Sequence, residues 1–210
     1  MKKLAIMLVA FAVVVGGSVS SAIAGPYFSV NAGAVWVSDA DLSIDGYGKF
    51  AELSFDTGYG VNAALGNSYS SGFRSEVEFA YRTNDVDEAK VSVPELDIYG
   101  SGSVDGELSS WAVMINGYYD FDTGSALKPF IGAGLGYANV DLELESESDD
   151  DGVFAYQLMA GLGFAISKEV SLDLQYRFFA TDDPEFSKYG AAFEYEYMTH
   201  NVMAGLRFNF

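Results

Sequence analysis

The sequence predicts an all-β protein, an eight-stranded antiparallel up-and-down transmembrane β-barrel. Three observations lead to this fold: eight segments of alternating polarity, connections that are short and long in turn, and acidic residues concentrated between the strands. A period of two places alternate side chains on opposite faces of a strand. Segments of about ten such residues have the length of tilted strands that cross a bilayer.

The first 24 residues have the composition of a secretory signal peptide. Met1-Lys2-Lys3 is basic, an uncharged apolar run follows from Leu4 to Val15, and Ala22-Ile23-Ala24 forms an A-x-A cleavage site. We therefore expect a cleaved signal peptide over 1–24 and a β-barrel domain over 25–210. A retained anchor helix is the alternative, but the apolar run is short for a membrane span.

The first four predicted strands each carry apolar residues at every second position. The alternate positions hold polar, small or charged residues, so each strand has two unlike faces. The strands and their apolar faces are 27–36 (Phe28, Val30, Ala32, Ala34, Trp36), 54–66 (Phe55, Tyr59, Val61, Ala63, Leu65), 73–82 (Phe73, Val77, Phe79, Tyr81) and 108–120 (Trp111, Val113, Ile115, Tyr119).

The last four strands repeat the pattern, and glycines fill much of the second face in the fifth and sixth. The final strand ends the chain on alternating apolar and polar residues. The strands are 130–140 (Ile131, Ala133, Leu135, Tyr137), 154–166 (Phe154, Tyr156, Leu158, Leu162, Phe164), 171–179 (Leu172, Leu174, Tyr176, Phe178) and about 197–210 (Ala204, Leu206, Phe208, Phe210).

The connections alternate in length. Those after strands two, four and six are short (67–72, 122–128 and 167–169), and those after strands one, three, five and seven are longer. Short turns at one rim and long loops at the other are typical of membrane barrels, with both termini at the short-turn rim. An even number of strands closes the barrel without an exposed edge.

Charge separates the strands from the loops. The net charge is −19, and the long loops (about 37–53, 83–107, 141–152 and 181–196) hold 23 of the 30 acidic residues. Their basic residues are Lys49, Lys90 and Lys188, so the loops carry a net −20. This excess of acid makes nucleic acid an unsuitable partner.

Every Arg falls on the polar face of a strand, together with several acids. Eight strands enclose a space that side chains can fill, so we predict a filled lumen rather than an open one. Unpaired buried charges would be costly, so pairing is expected. The predicted lumen ion network is Asp56, Arg74, Glu76, Glu78, Arg82, Asp173, Arg177 and Arg207. A soluble barrel is disfavoured because it would have to pack too many rings inside.

The chain resembles the small outer-membrane β-barrel family of the OmpA/OmpX type, a porin-like family. The resemblance rests on the signal peptide, the hairpin rhythm and the ending His200-Asn201-Val202-Met203-Ala204-Gly205-Leu206-Arg207-Phe208-Asn209-Phe210. It implies export by the Sec route to the outer membrane of a Gram-negative bacterium, with lipid and lipopolysaccharide as partners. It also implies an assembly signal at Leu206, Phe208 and Phe210, read by the barrel-assembly machinery.

His200, the only histidine, is a weak candidate for catalysis. Lipid A deacylases are eight-stranded barrels with a His-x-Ser motif facing lipid, but here the second residue after His200 is Val202. A hydrolase triad would need that nucleophile. We therefore expect neither enzymatic activity nor a cofactor.

The acidic stretch 143–151 contains half of a calcium-loop pattern. Glu147, Asp149 and Asp151 have the alternate spacing, but position twelve is Leu158 instead of Glu. They are weak candidate ligands for a divalent cation that would bridge the loops to lipopolysaccharide phosphates. A solvated acidic surface without a defined metal site is the favoured interpretation.

Together these patterns predict a structural or surface protein of the outer membrane that serves membrane integrity, adhesion or recognition. Two alternatives remain open: a narrow porin-like channel for small solutes, and a lipid-modifying barrel enzyme.

Overall fold

The computed structural model of the protein describes residues 23–38, 40–44, 48–93, 98–103, 106–144, 147–182, 185–188, 191–194 and 197–210. Of the predicted signal peptide, only Ile23 and Ala24 fall within these ranges. The described residues form thirteen strands: β1 (Ile23–Val37), β2 (Ala40–Ile44), β3 (Gly48–Phe55), β4 (Gly58–Tyr69), β5 (Phe73–Val93), β6 (Ile98–Ser103), β7 (Gly106–Asp120), β8 (Leu127–Leu144), β9 (Glu147–Ala165), β10 (Val170–Thr181), β11 (Glu185–Lys188), β12 (Ala191–Glu194) and β13 (Met198–Asn209).

Eight of these strands close one antiparallel barrel. The order around it is β1, β4, β5, β7, β8, β9, β10 and β13, and β13 pairs with β1 to complete the ring. The closing seam runs from the pair Tyr27 and Asn209 to the pair Val37 and Thr199. The predicted fold class is therefore confirmed.

The two faces of the barrel follow the alternation in the sequence. Along β4 and β7 exposed and buried residues alternate over most of the strand. The buried set contains all four Arg, while the exposed set is apolar and includes Val61, Leu65, Val113, Leu135, Leu158, Leu162 and Leu174. The protein is thus inverted relative to a soluble one, because its polar groups lie inside and its apolar belt faces outward.

Aromatic side chains border this belt at both ends. Phe28 and Phe208 stack across the closing seam at the short-turn rim, with ring centroids 6.5 Å apart. At the long-loop rim Phe79 stacks on Trp111, at 6.4 Å. Rows of this kind are typical of the two water interfaces of a membrane barrel.

The second predicted strand, 54–66, is wrong at its start. β3 ends at Phe55 and β4 begins at Gly58, and Asp56 between them is exposed. The Asp56 amide donates to the Asp85 carbonyl oxygen at 3.0 Å. A Cβ at Gly58 would overlap the carbonyl of Thr83, so a glycine is needed where β4 begins beside β5.

Several predicted loops are β-structure. β5 continues to Val93 and pairs there with β3 and β6, and β8 and β9 extend together as far as Leu144 and Glu147. The hairpin of β7 and β8 places like charges opposite one another, because Glu107 is paired with Glu143 and both are exposed. Such pairs destabilise a sheet, which indicates that the acidic surface is not selected for stability.

Candidate functional site: the barrel lumen and its outer mouth

The short-turn end of the lumen holds an ion-pair cluster. Arg74 donates to Asp120 through Nε at 2.8 Å and through Nη2 at 2.8 Å. Arg207 Nη1 lies 3.6 Å from Asp120 Oδ2, the oxygen that accepts from Arg74 Nε, and Arg207 Nη2 donates to Asp173 at 3.2 Å. Asp120 thus links β5, β7 and β13. The Arg74 guanidinium also lies over the Tyr118 ring, 4.5 Å from its centroid.

Above this cluster, Glu76 is held by neutral donors. The Tyr27 and Tyr118 hydroxyls each donate to its carboxylate at 2.8 Å, and Asn116 Nδ2 donates at 2.9 Å. Glu76 is buried, and so are all three partners. Three donors from neutral side chains thus satisfy this buried carboxyl group.

The centre of the lumen is closed by a fork-shaped ion pair. Arg177 Nη1 donates to Glu78 Oε1 at 2.7 Å, and Nη2 lies 2.7 Å from Oε2. Gln157 donates to Glu78 at 3.2 Å and to Asn116 at 2.7 Å, which connects the pair to the Glu76 cradle. Both charged side chains are 1 % exposed or less. Paired geometry of this kind is the arrangement in which a buried charge is tolerated.

Arg82 ends the polar part of the lumen. Its Nε donates to Asn201 at 3.2 Å, and its guanidinium lies 4.0 Å from the centroid of the Phe179 ring. Phe179 in turn packs edge-on against Tyr197. The cationic Arg82 therefore sits directly beneath apolar side chains.

Those side chains close the long-loop end, and we call them the apolar mouth. They come from five barrel strands and from Tyr197, the residue before β13, and form one buried cluster. The apolar mouth consists of Val37, Leu108, Val140, Val153, Phe179 and Tyr197, each 9 % exposed or less. The sequence predicted a polar lumen throughout, so this apolar closure is a finding of the structure.

Glycines of β8 and β9 create the space that the network occupies. A Cβ added at Gly132 would overlap the Tyr118 ring, and one at Gly134 would overlap the Asn116 side chain. At Gly163 it would lie 2.9 Å from Asp173 Oδ1 and 3.3 Å from Arg207 Nη2. Glycine is required at these positions because the ion pairs and rings of the facing strands occupy the space that a larger side chain would fill.

Seven of the eight predicted network residues lie buried in the lumen, but Asp56 does not. The alternation places Asp56 inward only if strand two is continuous, and this prediction is wrong because the break before Gly58 leaves Asp56 exposed. Sequence reasoning left out Asp120, although parity with Asn116 and Tyr118 puts it on the inner face. Among the described residues four carboxylates (Glu76, Glu78, Asp120, Asp173) balance the four Arg.

The remaining candidates lie elsewhere. Glu147, Asp149 and Asp151 belong to extended β9, opposite Leu144, Leu142 and Val140, so their backbone does not adopt a calcium loop. Within the described part of the chain, no three His, Cys, Asp or Glu side chains come together in a way that could hold a metal ion. Leu206 and Phe210 are exposed at the end of the chain, and their recognition by the assembly machinery stays a prediction.

His200 lies in the outer aromatic row. Its Nδ1 is 2.6 Å from the Tyr176 hydroxyl, and its ring packs 5.5 Å from that of Phe178. At a membrane interface, this hydrogen bond pairs the polar ends of Tyr176 and His200 while their rings remain in apolar contact. The second residue after His200 is Val202 rather than the serine of a His-x-Ser motif.

Removing one donor from the Glu76 cradle tests its contribution. Tyr118→Phe is expected to lower the free energy of unfolding by about 1–3 kcal/mol, because the buried carboxyl group of Glu76 loses a hydrogen-bond donor. Urea titration of the protein in lipid vesicles measures this. Tyr119→Phe, at the neighbouring outward position, is the control; an equal loss there would contradict the role of the cradle.

Comparison with known proteins identifies the architecture. Residues 5–208 match the family profile described as outer membrane protein beta-barrel domain. The chain belongs to this family. Its apolar belt therefore faces the outer membrane of a Gram-negative bacterium, and the long hairpins extend from the barrel's outer rim.

Individual members of the outer membrane β-barrel family are only partly similar to this chain. A candidate adhesin of Rickettsia conorii is 32% identical over 120 residues, 47% of each protein. Outer membrane protein PagN of Salmonella typhimurium is 28% identical over 85 residues, 36% of each. These matches span about half or less of the relatives' length. The Neisserial surface protein A shares the fold, with a TM-score of 0.60 at 19% identity over 89% of this chain and 98% of its own.

Proposed function

We propose that this outer-membrane barrel is a non-conducting surface protein that acts in adhesion or recognition through its acidic extracellular hairpins. The observation that carries the proposal is the doubly closed lumen. The Glu78–Arg177 pair blocks its centre, and the apolar mouth blocks its outer end. A solute channel would need a continuous path past both. The outward-facing chemistry is therefore that of the hairpins.

The negative charge of the hairpins indicates the charge that a partner should carry. The long loops carry a net −20, and Glu107 and Glu143 are exposed side by side on paired strands. A field of one sign favours encounter with a surface of the opposite sign. The partner is thus a cationic surface patch on a protein rather than a sulfated polysaccharide or nucleic acid. The R. conorii relative, a candidate adhesin, is consistent with this role.

Conductance separates the proposed function from the channel alternative. The purified protein, refolded into planar bilayers, is expected to insert stably and to show no steady current. Heat-modifiable gel mobility verifies that the barrel is folded. Reproducible discrete openings would contradict the proposal and give the narrow-channel function first place.

Adhesion is tested with charge-matched variants at the two rims. Glu107→Gln with Glu143→Gln removes two acids from the outer hairpins, and Asp122→Asn with Glu169→Gln removes two exposed acids from the periplasmic turns. Escherichia coli displaying the first variant is expected to adhere to cultured epithelial cells severalfold less than cells with the wild type. Cells with the second should be unchanged. Equal adhesion by both variants would refute a role for the hairpin charges.

A further inference from the structure

Tyr176 and His200 pair a phenol with a base on the outward face of the barrel. Tyr176 of β10 is 45% exposed, and His200 of β13 lies one step nearer the long-loop rim. The hydroxyl oxygen is 2.6 Å from His200 Nδ1, and the two rings stack with centroids 6.0 Å apart. In the neutral imidazole that carries its proton on Nε2, Nδ1 accepts from the hydroxyl. The pair is therefore an exposed phenol with a proton acceptor already in place.

Neighbouring rings hold the imidazole in position. Trp36 of β1 and Phe178 of β10 stand directly opposite His200 on its two sides. The Phe178 ring lies 5.5 Å from that of His200. Because these neighbours are largely apolar, they shield Nδ1 from water that would compete with the Tyr176 hydroxyl. The base is thus fixed where the phenol can use it.

Other tyrosines of the described barrel wall lack this combination. Tyr59 and Tyr156 also face outward, at 60% and 36% exposure, but neither hydroxyl has a hydrogen-bonded base among the described residues. Tyr27 and Tyr118 donate to a carboxylate, but both are buried in the lumen. Within this part of the chain, exposure and a base therefore coincide at Tyr176.

We propose that Tyr176 is a site of oxidative modification, nitrated by the nitrogen dioxide radical, with His200 as the proton acceptor. This radical is small and uncharged, so it enters the hydrocarbon that surrounds the apolar belt. A phenol gives up an electron readily when its proton leaves in the same step, and hydrocarbon supplies no water to take that proton. His200 Nδ1 can take it across 2.6 Å, within the reach of a general base. The site is independent of the proposed adhesion function.

The reaction consumes two radicals. The first takes one electron from the Tyr176 phenol and becomes nitrite, while the hydroxyl proton moves to His200 Nδ1; a neutral phenoxyl radical and an imidazolium remain. The second radical forms a C–N bond at a ring carbon next to the one that carries the oxygen. The proton of that carbon moves to the phenolic oxygen, and the imidazolium returns its proton to water. The products are 3-nitrotyrosine, nitrite and one proton.

Site-resolved mass spectrometry of the folded protein in lipid vesicles tests the proposal. A haem peroxidase with hydrogen peroxide and nitrite supplies the radical. Nitration at Tyr176 is expected to exceed that at Tyr156 by at least about tenfold, because a positioned base speeds proton transfer roughly 10²-fold or more. His200→Phe removes the base and should bring Tyr176 down to the level of Tyr156. Phe178→Leu is the matched control, since it alters the same cluster but leaves the pair intact.

Three outcomes would overturn the proposal. Greater nitration at Tyr59 than at Tyr176 in the wild type would show that exposure alone decides. Unchanged nitration of Tyr176 in His200→Phe would exclude the base. His200→Gln offers an amide oxygen that accepts a hydrogen bond but not the proton, so full nitration in that variant would show that His200 only positions the phenol. Heat-modifiable gel mobility verifies that each variant is folded.

Discussion

Glu78→Ala is expected to lower the free energy of unfolding by about 3–5 kcal/mol, because it leaves the Arg177 guanidinium buried without its counter-ion. Arg177 is fully enclosed at this level, and Gln157 is a neutral partner that cannot replace a carboxylate. Arg82, which lies nearer the long-loop end, would also lose the negative charge of Glu78. The measurement is reversible urea unfolding in lipid vesicles, followed by tryptophan fluorescence.

Two further variants decide how this result is interpreted. Glu107→Ala removes an exposed acid and is expected to change the unfolding free energy by less than about 0.5 kcal/mol. Glu78→Leu combined with Arg177→Met removes both charges and should recover most of the loss, since a neutral pair no longer demands a partner. A double variant as unstable as Glu78→Ala would show that packing, not charge, dominates at this level.

Gly134→Leu is expected to prevent closure of the barrel or to destabilise it by more than about 3 kcal/mol, the upper end of ordinary overpacking. A Cβ at this position already overlaps the Asn116 side chain and lies 3.1 Å from Gln157 Cγ. A longer side chain would displace both amides and break the link between Glu76 and Glu78. Loss of the heat-modifiable band on a gel, and a low folding yield in vesicles, would report it.

Gly117→Leu is the matched control. Gly117 lies on β7 next to Asn116 but points outward, and a Cβ added there meets no atom within 4 Å. Leu at this position adds apolar surface to the belt, so folding yield should be unchanged. If both glycine variants fold normally, the lumen is less tightly filled than its contacts imply.

The sequence could predict the barrel because its information is local and repeated. The two faces of each strand can be read from its own residues. In β7, Val113 and Ile115 alternate with Met114 and Asn116, and the structure places the first two outward and the last two inward. Together with the short turns, this alternation is sufficient for strand count and orientation. The inward position of Arg74, Arg177 and Arg207 follows from the same parity.

What the sequence could not predict depends on contacts between distant strands. Asp120 serves both Arg74 and Arg207 because β7 and β13 approach across the lumen, a distance that no local pattern encodes. The apolar mouth needs Leu108, Val140 and Phe179 to meet at one level, although each looks like an ordinary strand residue. Asp56 shows a different failure of the alternating pattern. The pattern predicts an inward side chain, but the strand is interrupted between Phe55 and Gly58, and Asp56 is exposed.

The unequal closure of the two ends of the lumen has a consequence for the entry of water. Asp120, at the periplasmic end, keeps about a fifth of its side-chain surface in contact with solvent, whereas Phe179 and Tyr197 at the other end have none. Water from the periplasm therefore meets a carboxylate, while water from the medium meets buried apolar side chains. The polar interior is thus hydrated from the periplasmic side.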